Sequence, residues 1–233
     1  MPIFLDTGAL ETIERFFRMG IIRGVTTNPT ILLKDGVTGG LRGIEERSRQ
    51  IAKLVAPLPV SVEVTAAGLS ETLDQARTIA SWADNIVVKI PIHGPNGELE
   101  NVEAIHELQT RYGIPINVTA MMSAQQGLLA ALAGATYVSI FGGRVNNMGY
   151  DACGEIARLR RLLDQFALKA RIIAGSTREV LNVIEWLDAG AHIVTAVPSI
   201  LEGMLVHPYS KETVRMFLDD GARLGNPKGP TRE

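Results

Sequence analysis

Lys89 interrupts a continuous apolar run, residues 86–92, that is typical of a strand buried on both faces. Burial disfavours the charged form of an amine and can lower a lysine pKa substantially, which gives an uncharged amine able to attack a carbonyl carbon and form a Schiff base. A lysine that ends a strand and pairs with a nearby carboxylate is the alternative. The setting of Lys89 therefore raises the hypothesis of covalent catalysis, which the rest of the chain must decide.

Polar residues also stand at the ends of other β-branched runs. Side chains two positions apart on a strand share a face, so Asn117 and Thr119 can point the same way. A single polar strand end is unremarkable, whereas six in succession are not explained by solvation alone. If these strands are parallel neighbours, their polar ends form one site that favours a catalytic Lys89. The polar members are Asp6, Thr26, Asn28, Glu63, Asn117, Thr119 and Ser139, which together with Lys89 end six successive strands, and Phe141 shares the face of Ser139.

Two arginines follow the sixth and seventh of these runs. Arg144 ends the segment Phe141-Gly142-Gly143-Arg144, and Arg178 follows Gly175-Ser176-Thr177. Backbone amides, a small hydroxyl and a helix N-terminus bind phosphate after the seventh strand of many barrels, and arginine adds bidentate recognition. The pattern indicates an anionic substrate tail, with two exposed arginines on solvated loops as the alternative. The glycine pair fits either a plain turn or an anion-binding nest.

The elements that must position these residues alternate between short β-branched runs and longer amphipathic patterns, which indicates βα units and a parallel sheet. Eight strands are predicted, over residues 3–6, 24–27, 60–64, 86–90, 115–119, 136–140, 171–175 and 192–196. Helices are predicted between them, for example over residues 10–19, 69–82, 102–112, 123–133, 153–167 and 177–189. Eight such units favour a single TIM (β/α)8 barrel. An open doubly wound sheet, the alternative, usually carries a glycine-rich turn after its first strand, where this chain has Asp6-Thr7-Gly8.

Composition excludes several classes of function. The chain has 233 residues, a net charge of −2 and no lysine/arginine block, which argues against nucleic acid or an anionic membrane as its main partner. Its start lacks the pattern of a signal peptide, and no apolar run reaches membrane-spanning length, so we expect a cytoplasmic protein. The single cysteine, Cys153, fits a reducing compartment. Because His93, His106, His192 and His207 show no zinc-ligand spacing, we predict no metal.

The C-terminal region divides into two parts. Residues 1–220 are predicted to form the barrel with additional C-terminal helices, and residues 221–233 a polar, flexible tail. Residues 200–206 and the pattern around Val214, Met216, Phe217 and Leu218 carry more apolar surface than barrel closure requires. Surplus apolar surface usually marks an interface, so we expect a homo-oligomer, with a monomer whose last helix folds back as the alternative.

Seven motifs follow one another along nearly the whole chain, in the order found in a known family of enzymes. They are Leu5-Asp6-Thr7, Gly24-Val25-Thr26-Thr27-Asn28-Pro29-Thr30, Val60-Ser61-Val62-Glu63-Val64, Val87-Val88-Lys89-Ile90-Pro91, Asn117-Val118-Thr119, Ala174-Gly175-Ser176 and Ala189-Gly190-Ala191-His192-Ile193-Val194-Thr195. Together they resemble the transaldolase family, in its short single-barrel subfamily that also contains fructose-6-phosphate aldolase. The Thr-Thr-Asn-Pro-Thr and Val-Lys-Ile-Pro motifs in combination are highly specific.

The resemblance implies a Schiff-base transaldolase that needs no cofactor. Lys89 would form the Schiff base with the ketone of a sugar phosphate. Asp6 would assist proton transfer to and from the substrate hydroxyls. Glu63 and Thr119 would hold a catalytic water through which protons move.

The resemblance also implies how the substrate is bound. Asn28 and Asn117 would hydrogen-bond the dihydroxyacetone unit, which stays covalently held while aldehyde acceptors exchange. The remaining contacts would come from Thr26, Ser139 and Phe141 around that unit, and from Arg144, Ser176 and Arg178 on the phosphate. Short members of the family are rings in which C-terminal helices reach a neighbour, so the resemblance implies a pentamer or a decamer.

Two positions distinguish transferase from aldolase within the resemblance. Fructose-6-phosphate aldolase carries glutamine where Glu63 stands and tyrosine where Phe141 stands, so both positions favour transaldolase. Aldol cleavage that releases free dihydroxyacetone is the first alternative, and a barrel that binds an anionic sugar without chemistry is the second.

The chain departs from the family pattern around the anion end. The usual Ser-Pro-Phe-Val-Gly-Arg is replaced by residues 139–144, Ser-Ile-Phe-Gly-Gly-Arg, and residues 145–147, Val-Asn-Asn, replace an acidic residue. Met121-Met122 replaces bulkier residues after Thr119. A sulfonated sugar therefore stands beside a phosphosugar as a candidate substrate.

Overall fold

Eight parallel strands form a closed barrel in the computed structural model, which describes residues 2–225. They are β1 (Ile3–Asp6), β2 (Val25–Thr26), β3 (Val60–Glu63), β4 (Ile86–Pro91), β5 (Ile116–Met121), β6 (Tyr137–Ile140), β7 (Arg171–Ala174) and β8 (Ile193–Ala196). Because β1 pairs with both β2 and β8, the sheet has no open edge. The predicted TIM barrel is confirmed; the strand bounds differ most at β5, which ends at Met121 rather than at residue 119.

Eleven helices surround the strands or follow them within the described residues. They are α1 (Leu10–Arg18), α2 (Pro29–Lys34), α3 (Gly40–Val55), α4 (Leu69–Ala80), α5 (Glu100–Tyr112), α6 (Ala124–Leu132), α7 (Gly142–Asn147), α8 (Ala152–Gln165), α9 (Val180–Asp188), α10 (Pro198–Leu205) and α11 (Pro208–Leu224). The six-residue helices α2 and α7 are too short to show an amphipathic period. For this reason α7 was not predicted. Gly142 and Gly143 are its first two residues, where the sequence indicated a turn or a nest.

Five side chains fill the inside of the barrel. Contacts between residues of strands that are not neighbours, such as β4 and β6, can form only across the interior, so this cluster lies within the barrel. We call it the barrel floor: Phe4, Val87, Tyr137, Ile173 and Ile193. Glycine stands at position 24 because a Cβ there would lie 2.6 Å from the Phe4 ring. A larger and separate cluster packs the outside of the strands against the helices.

The barrel floor determines which residues form the layer above it. Side chains alternate between the two faces of a strand, so the residue two positions after each floor residue also points inward. By this rule Asp6, Lys89, Ser139 and Thr195 lie above Phe4, Val87, Tyr137 and Ile193. The apolar floor separates this polar layer from the opposite end of the barrel, and the layer is therefore the place to look for chemistry.

The last helix, α11, extends to Leu224, beyond residue 220 where the tail was expected to begin. Alanine, arginine and leucine at positions 222–224 favour helix, which accounts for the extension. Residues 226–233, the rest of the expected tail, lie outside the described residues. Among residues 2–225, none of the helices is long and apolar enough to cross a membrane.

Candidate active site

A cavity of about 450 Å³ opens at the C-terminal end of the barrel, above the floor. Every residue that the sequence analysis singled out for the site lines this cavity. They are Asp6, Thr26, Asn28, Glu63, Lys89, Asn117, Thr119, Ser139, Phe141, Arg144, Ser176 and Arg178. One cavity thus contains a lysine, two carboxylates, several amides and hydroxyls, and two arginines.

Lys89 is a buried residue that is 5% exposed, so it lies inside the barrel mouth and not at a solvated strand end. Its Nζ donates to the carbonyl oxygen of Thr27 at 3.1 Å and lies 3.2 Å from Oε2 of Glu63. The pairing of β3 with β4 sets Glu63 directly beside Lys89. The lysine is therefore held in a fixed position next to a carboxylate that can take its proton.

Asp6 is the second carboxylate of the cavity and lies at the C-terminal end of β1. The hydroxyl of Thr26 donates to its Oδ1 at 2.6 Å. Burial raises the pKa of Asp6 above its ordinary value, and Asp35 adds to the rise, whereas Lys89 and the Thr26 hydroxyl oppose it. A carboxyl with a raised pKa is suited to exchange protons with a substrate.

The raised pKa of Asp6 predicts that Asp6→Asn increases the stability of the fold at neutral pH, although the cavity loses one of its two carboxylates. In the folded protein Asp6 binds a proton more tightly than in the unfolded chain, so its favourable effect is complete below about pH 4. That effect is lost as the pH rises through the folded pKa. We expect Asp6→Asn to unfold at higher urea concentration than the wild type at pH 7, with no advantage at pH 3.

Urea unfolding across this pH range measures the effect, and Asp84→Asn, which removes an exposed aspartate, controls for the loss of charge. An Asp6→Asn protein that is less stable than wild type at pH 7 would contradict the prediction.

Asn117 is fixed by hydrogen bonds to both of its amide atoms. The Ser139 hydroxyl donates to Oδ1 at 2.7 Å, and Nδ2 donates to the hydroxyl of Ser61 at 3.1 Å. These bonds determine which end of the amide is the donor and leave its second N–H for a ligand. Sequence reasoning did not select Ser61 as a site residue, although its place two residues before Glu63 puts it on the same face of β3.

Thr119 lies next to an irregularity in β5, where the register shifts between Val118 and Met121 and Ala120 adopts a φ of +60°. Its side chain is 1% exposed, and its Oγ1 finds no hydrogen-bond partner among the described residues. Buried hydroxyls are normally hydrogen-bonded. Thr119 therefore offers a free donor and acceptor at the cavity wall.

Asn28 caps the start of α2 and also lines the cavity. Its Oδ1 accepts a hydrogen bond from the backbone N–H of Ile31 at 2.9 Å and so caps the helix. Pro29 follows at the first helical position, where a missing N–H costs nothing. Since the amide oxygen is engaged in the cap, the NH₂ group of Asn28 is the part that can bind a ligand.

The loops after β6 and β7 form the outer end of the cavity. A Cβ on Gly143 would lie well inside contact distance of the Ser176 carbonyl oxygen, so the two loops touch backbone to backbone. The Arg144 guanidinium lies 5.4 Å from the centre of the Phe141 ring, within cation–π range. Arg144 and Arg178 are exposed and form no ion pair within residues 2–225. This end of the cavity can therefore attract an anion.

Comparison with known proteins decides the family. Residues 3–226 match the family model described as "Transaldolase/Fructose-6-phosphate aldolase". The chain belongs to this family. Membership places it among enzymes of the transaldolase type, as the motifs around Thr26 and Lys89 indicated.

Curated relatives agree with the family, and a solved structure agrees with the fold. The chain is 39% identical to "Probable transaldolase 2" of Listeria monocytogenes, over 98% of this chain and all of that protein. It is 36% identical to "Probable transaldolase" of Chelativorans sp., over 98% of this chain and all of that protein. Thiamine phosphate pyrophosphorylase from Pyrococcus furiosus superposes with a TM-score of 0.60 at 13% identity, covering 84% of this chain and 85% of the other. The last likeness shows the shared barrel fold alone.

The cavity of this transaldolase-family protein includes polar residues that sequence reasoning did not select. Thr30, Thr177 and Thr195 line it. Thr195 contacts the predicted site directly, since its Oγ1 lies 2.5 Å from Oγ1 of Thr26. The signal for Thr195 was present in the alternation of β8, two residues after the apolar Ile193. Within residues 2–225, no group of three or more histidine, cysteine, aspartate or glutamate side chains could hold a metal ion.

Proposed function

We propose that this protein is a Schiff-base transaldolase that transfers a dihydroxyacetone unit from an anionic ketose to an aldehyde. The observation that carries the proposal is the pair formed by buried Lys89 and Glu63 in the same cavity as two exposed arginines. A ketose with an anionic tail can place its carbonyl at the lysine and its tail at the arginines. Family membership supports this choice of chemistry.

The reaction begins when Glu63 accepts a proton from Lys89 and the free amine attacks the ketone carbon of the substrate. A carbon–nitrogen bond forms, protonated Glu63 returns its proton to the former carbonyl oxygen, that oxygen leaves as water, and a protonated imine results. Asp6, as carboxylate, then takes the proton from the hydroxyl two carbons away. The bond between the hydroxyl-bearing carbon and the carbon next to the imine breaks, its electron pair moves toward the imine nitrogen to leave an enamine, and an aldehyde is released.

The remaining enamine attacks a second aldehyde, and Asp6 returns its proton to the new hydroxyl. Water then hydrolyses the imine and frees Lys89. The buried hydroxyl of Thr119 supports a water between itself and Glu63, because such a water would satisfy an otherwise unpartnered group. Asn28 and Asn117 would hold the dihydroxyacetone unit through the N–H groups that their structural hydrogen bonds leave available.

The tail of the substrate binds at Arg144, Ser176 and Arg178 in this proposal. Two guanidinium groups without protein partners in the described part of the chain favour a phosphate or a sulfonate. Ser176 lines the cavity with its backbone in a left-handed conformation, at a φ of +61°, which is uncommon outside glycine and often marks functional sites. The chemistry at Lys89 is the same for either tail.

Arg144→Ala or Arg178→Ala should raise the KM for a phosphorylated ketose by roughly tenfold or more, with a much smaller effect on dihydroxyacetone. Each change removes a charge-assisted contact that lies away from the reacting carbon. Steady-state kinetics with both donors measure the difference. Arg161→Ala, which removes an exposed arginine of α8 outside the cavity, is the control. Equal losses on the two donors would show that these arginines do not bind the tail.

Borohydride reduction tests the proposed function as a whole. The intact protein is incubated with phosphorylated and sulfonated ketoses, reduced, and analysed by mass spectrometry for an adduct on Lys89. An adduct supports an imine, and the donor that gives the highest yield identifies the tail. Release of free dihydroxyacetone without an acceptor would favour the aldolase alternative. Absence of any adduct, together with ketose binding, would favour the non-catalytic barrel.

We also propose that the protein is a homo-oligomer built on pentamers. Helix α11 has 17 residues, and none of them is buried. Val214, Met216, Phe217 and Leu218 are each more than half exposed, and an exposed apolar face of this kind favours a partner. A second copy of the chain is the partner that the family resemblance implies. A cytoplasmic location stays a prediction from the sequence, which cell fractionation tests.

Removal of α11 should break the oligomer into smaller species. Analytical ultracentrifugation compares the intact chain, a chain truncated after Val206, and Phe217→Asp. Lys211→Asp introduces the same residue elsewhere on the same helix and serves as the control. The interface is supported if the truncation and Phe217→Asp dissociate the oligomer while Lys211→Asp leaves it intact. A monomeric intact protein would rule out the proposal.

A further inference from the structure

Thr195 connects the last strand of the barrel to the carboxylate of Asp6. It is buried, with 7% of its surface exposed, and it lines the cavity. Its hydroxyl oxygen lies 2.5 Å from that of Thr26, which in turn donates to Asp6 Oδ1 at 2.6 Å. The three residues come from β8, β2 and β1. Strand β1 pairs with β2 on one side and with β8 on the other, and the second pairing exists because the barrel is closed.

The direction of these hydrogen bonds follows from the number of protons. A threonine hydroxyl has one proton to donate and can accept other bonds. While Asp6 is ionised it can only accept, so Thr26 uses its proton on Asp6. Thr195 must then be the donor in the bond between the two threonines. If Asp6 takes up a proton and donates it to Thr26, Thr26 can donate to Thr195 and the chain reverses.

We propose that Thr195 is a positioning residue, which orients the Thr26 hydroxyl toward Asp6 and so determines how readily Asp6 exchanges its proton. A hydroxyl that receives a hydrogen bond becomes a stronger donor, and bonds to an ionised acceptor gain most from this effect. Thr195 therefore stabilises the carboxylate form of Asp6 more than the protonated form. The inference rests on the proposed function, in which Asp6 is the base that takes the substrate proton.

Lys89 and Asp35 act on Asp6 together with this chain of hydrogen bonds, and Arg47 contacts the adjoining loop. Lys89 on β4 favours the carboxylate, although it also pairs with Glu63 on β3. Asp35, which follows α2, opposes the carboxylate and accepts hydrogen bonds from the start of the loop after β1. Arg47 of α3 donates to the carbonyl oxygen of Gly8 in the same loop. Because burial raises the pKa of Asp6, the donors that oppose the rise matter for keeping it active as a base.

Thr195→Val tests the proposal, since valine has the shape of threonine and lacks the hydroxyl. The carboxyl carbon of Asp6 is followed by NMR as the pH is varied, and its signal is assigned by its loss in Asp6→Asn. We expect Thr195→Val to move the titration midpoint of Asp6 upward by about half a pH unit. The acid limb of the kcat/KM profile should move in the same direction.

Two variants separate the hydroxyl from packing. Thr195→Ser keeps the hydroxyl and should leave the midpoint close to that of the wild type. Thr72→Val removes a buried hydroxyl from α4 and should have no effect on Asp6. Should Thr195→Val fail to fold, Thr195→Ala is analysed in the same way. An unchanged midpoint in both hydroxyl-free variants, or an equal change in Thr195→Ser, would overturn the proposal.

The titration is independent of turnover, so it distinguishes this inference from the proposed function. A wild-type protein that forms no adduct on Lys89 would contradict the proposed function, yet the Asp6 midpoint could still depend on Thr195. Conversely, an adduct on Lys89 with no dependence of Asp6 on Thr195 would remove only the positioning role.

Discussion

Lys89→Met should abolish both turnover and borohydride-dependent labelling while the barrel stays folded. Methionine has a volume similar to that of lysine and lacks the amine, so the apolar surroundings of the side chain are kept and the nucleophile is lost. Imine formation has no substitute route in the proposed mechanism, and we therefore expect activity to fall to the background of the assay. Mass spectrometry after reduction and a coupled transfer assay measure the two effects.

The control for Lys89→Met is Lys53→Met, which changes an exposed lysine of α3 and should leave adduct formation unchanged. Thermal unfolding of both variants checks that the fold is intact. Glu63 loses its ion pair in Lys89→Met, but it retains contact with water at the mouth, so we expect a modest change in stability. Labelling that persists in Lys89→Met would exclude Lys89 as the nucleophile.

Glu63→Gln should lower the rate of transfer by about two orders of magnitude or more, which is the usual contribution of a general acid or base. Glutamine can still accept a hydrogen bond from Lys89 across the 3.2 Å contact, but it cannot take up the lysine proton. Binding of the ketose should survive, because the arginines and asparagines are unchanged. The loss is therefore expected in kcat more than in KM.

Glu63→Gln also tests the division between transferase and aldolase. Glutamine is the residue that the resemblance assigns to the aldolase branch, so the variant should release more free dihydroxyacetone per aldehyde formed. Quantifying both products in the presence and absence of an acceptor gives this ratio, and Glu71→Gln on α4 is the exposed control. Near-normal transfer by Glu63→Gln would count against Glu63 as the group that moves protons.

The sequence predicted the fold and many of the residues that line the cavity, because both depend on strong local patterns. Buried β-branched runs defined the strands, and Lys89 stood out because it breaks such a run. The positions of Glu63 and Asn117 at strand ends predicted that they converge on one site, and both line the cavity in the structure. Their roles stay predictions, since the arrangement of side chains around a cavity does not itself report a reaction.

The sequence could not predict contacts that depend on barrel closure. The bond between Thr195 and Thr26 joins residues 169 positions apart, and no local period relates them. The helix cap formed by Asn28 was missed for another reason, because α2 is only six residues long. The extension of α11 past residue 220 was missed because the segment from Gly221 onward was interpreted as a polar tail, although helix interiors tolerate single glycines at a cost of about 1 kcal/mol.

The close approach at Gly143 has a consequence for redesign of the cavity. Because the two segments touch through their backbones at this point, position 143 cannot gain a side chain unless the segment after β7 moves as well. The segments after β6 and β7 therefore constrain each other. A segment grafted after β6 from another barrel would contact the carbonyl of Ser176 if it carried a side chain at position 143. Any attempt to exchange this rim must transplant both segments as one piece.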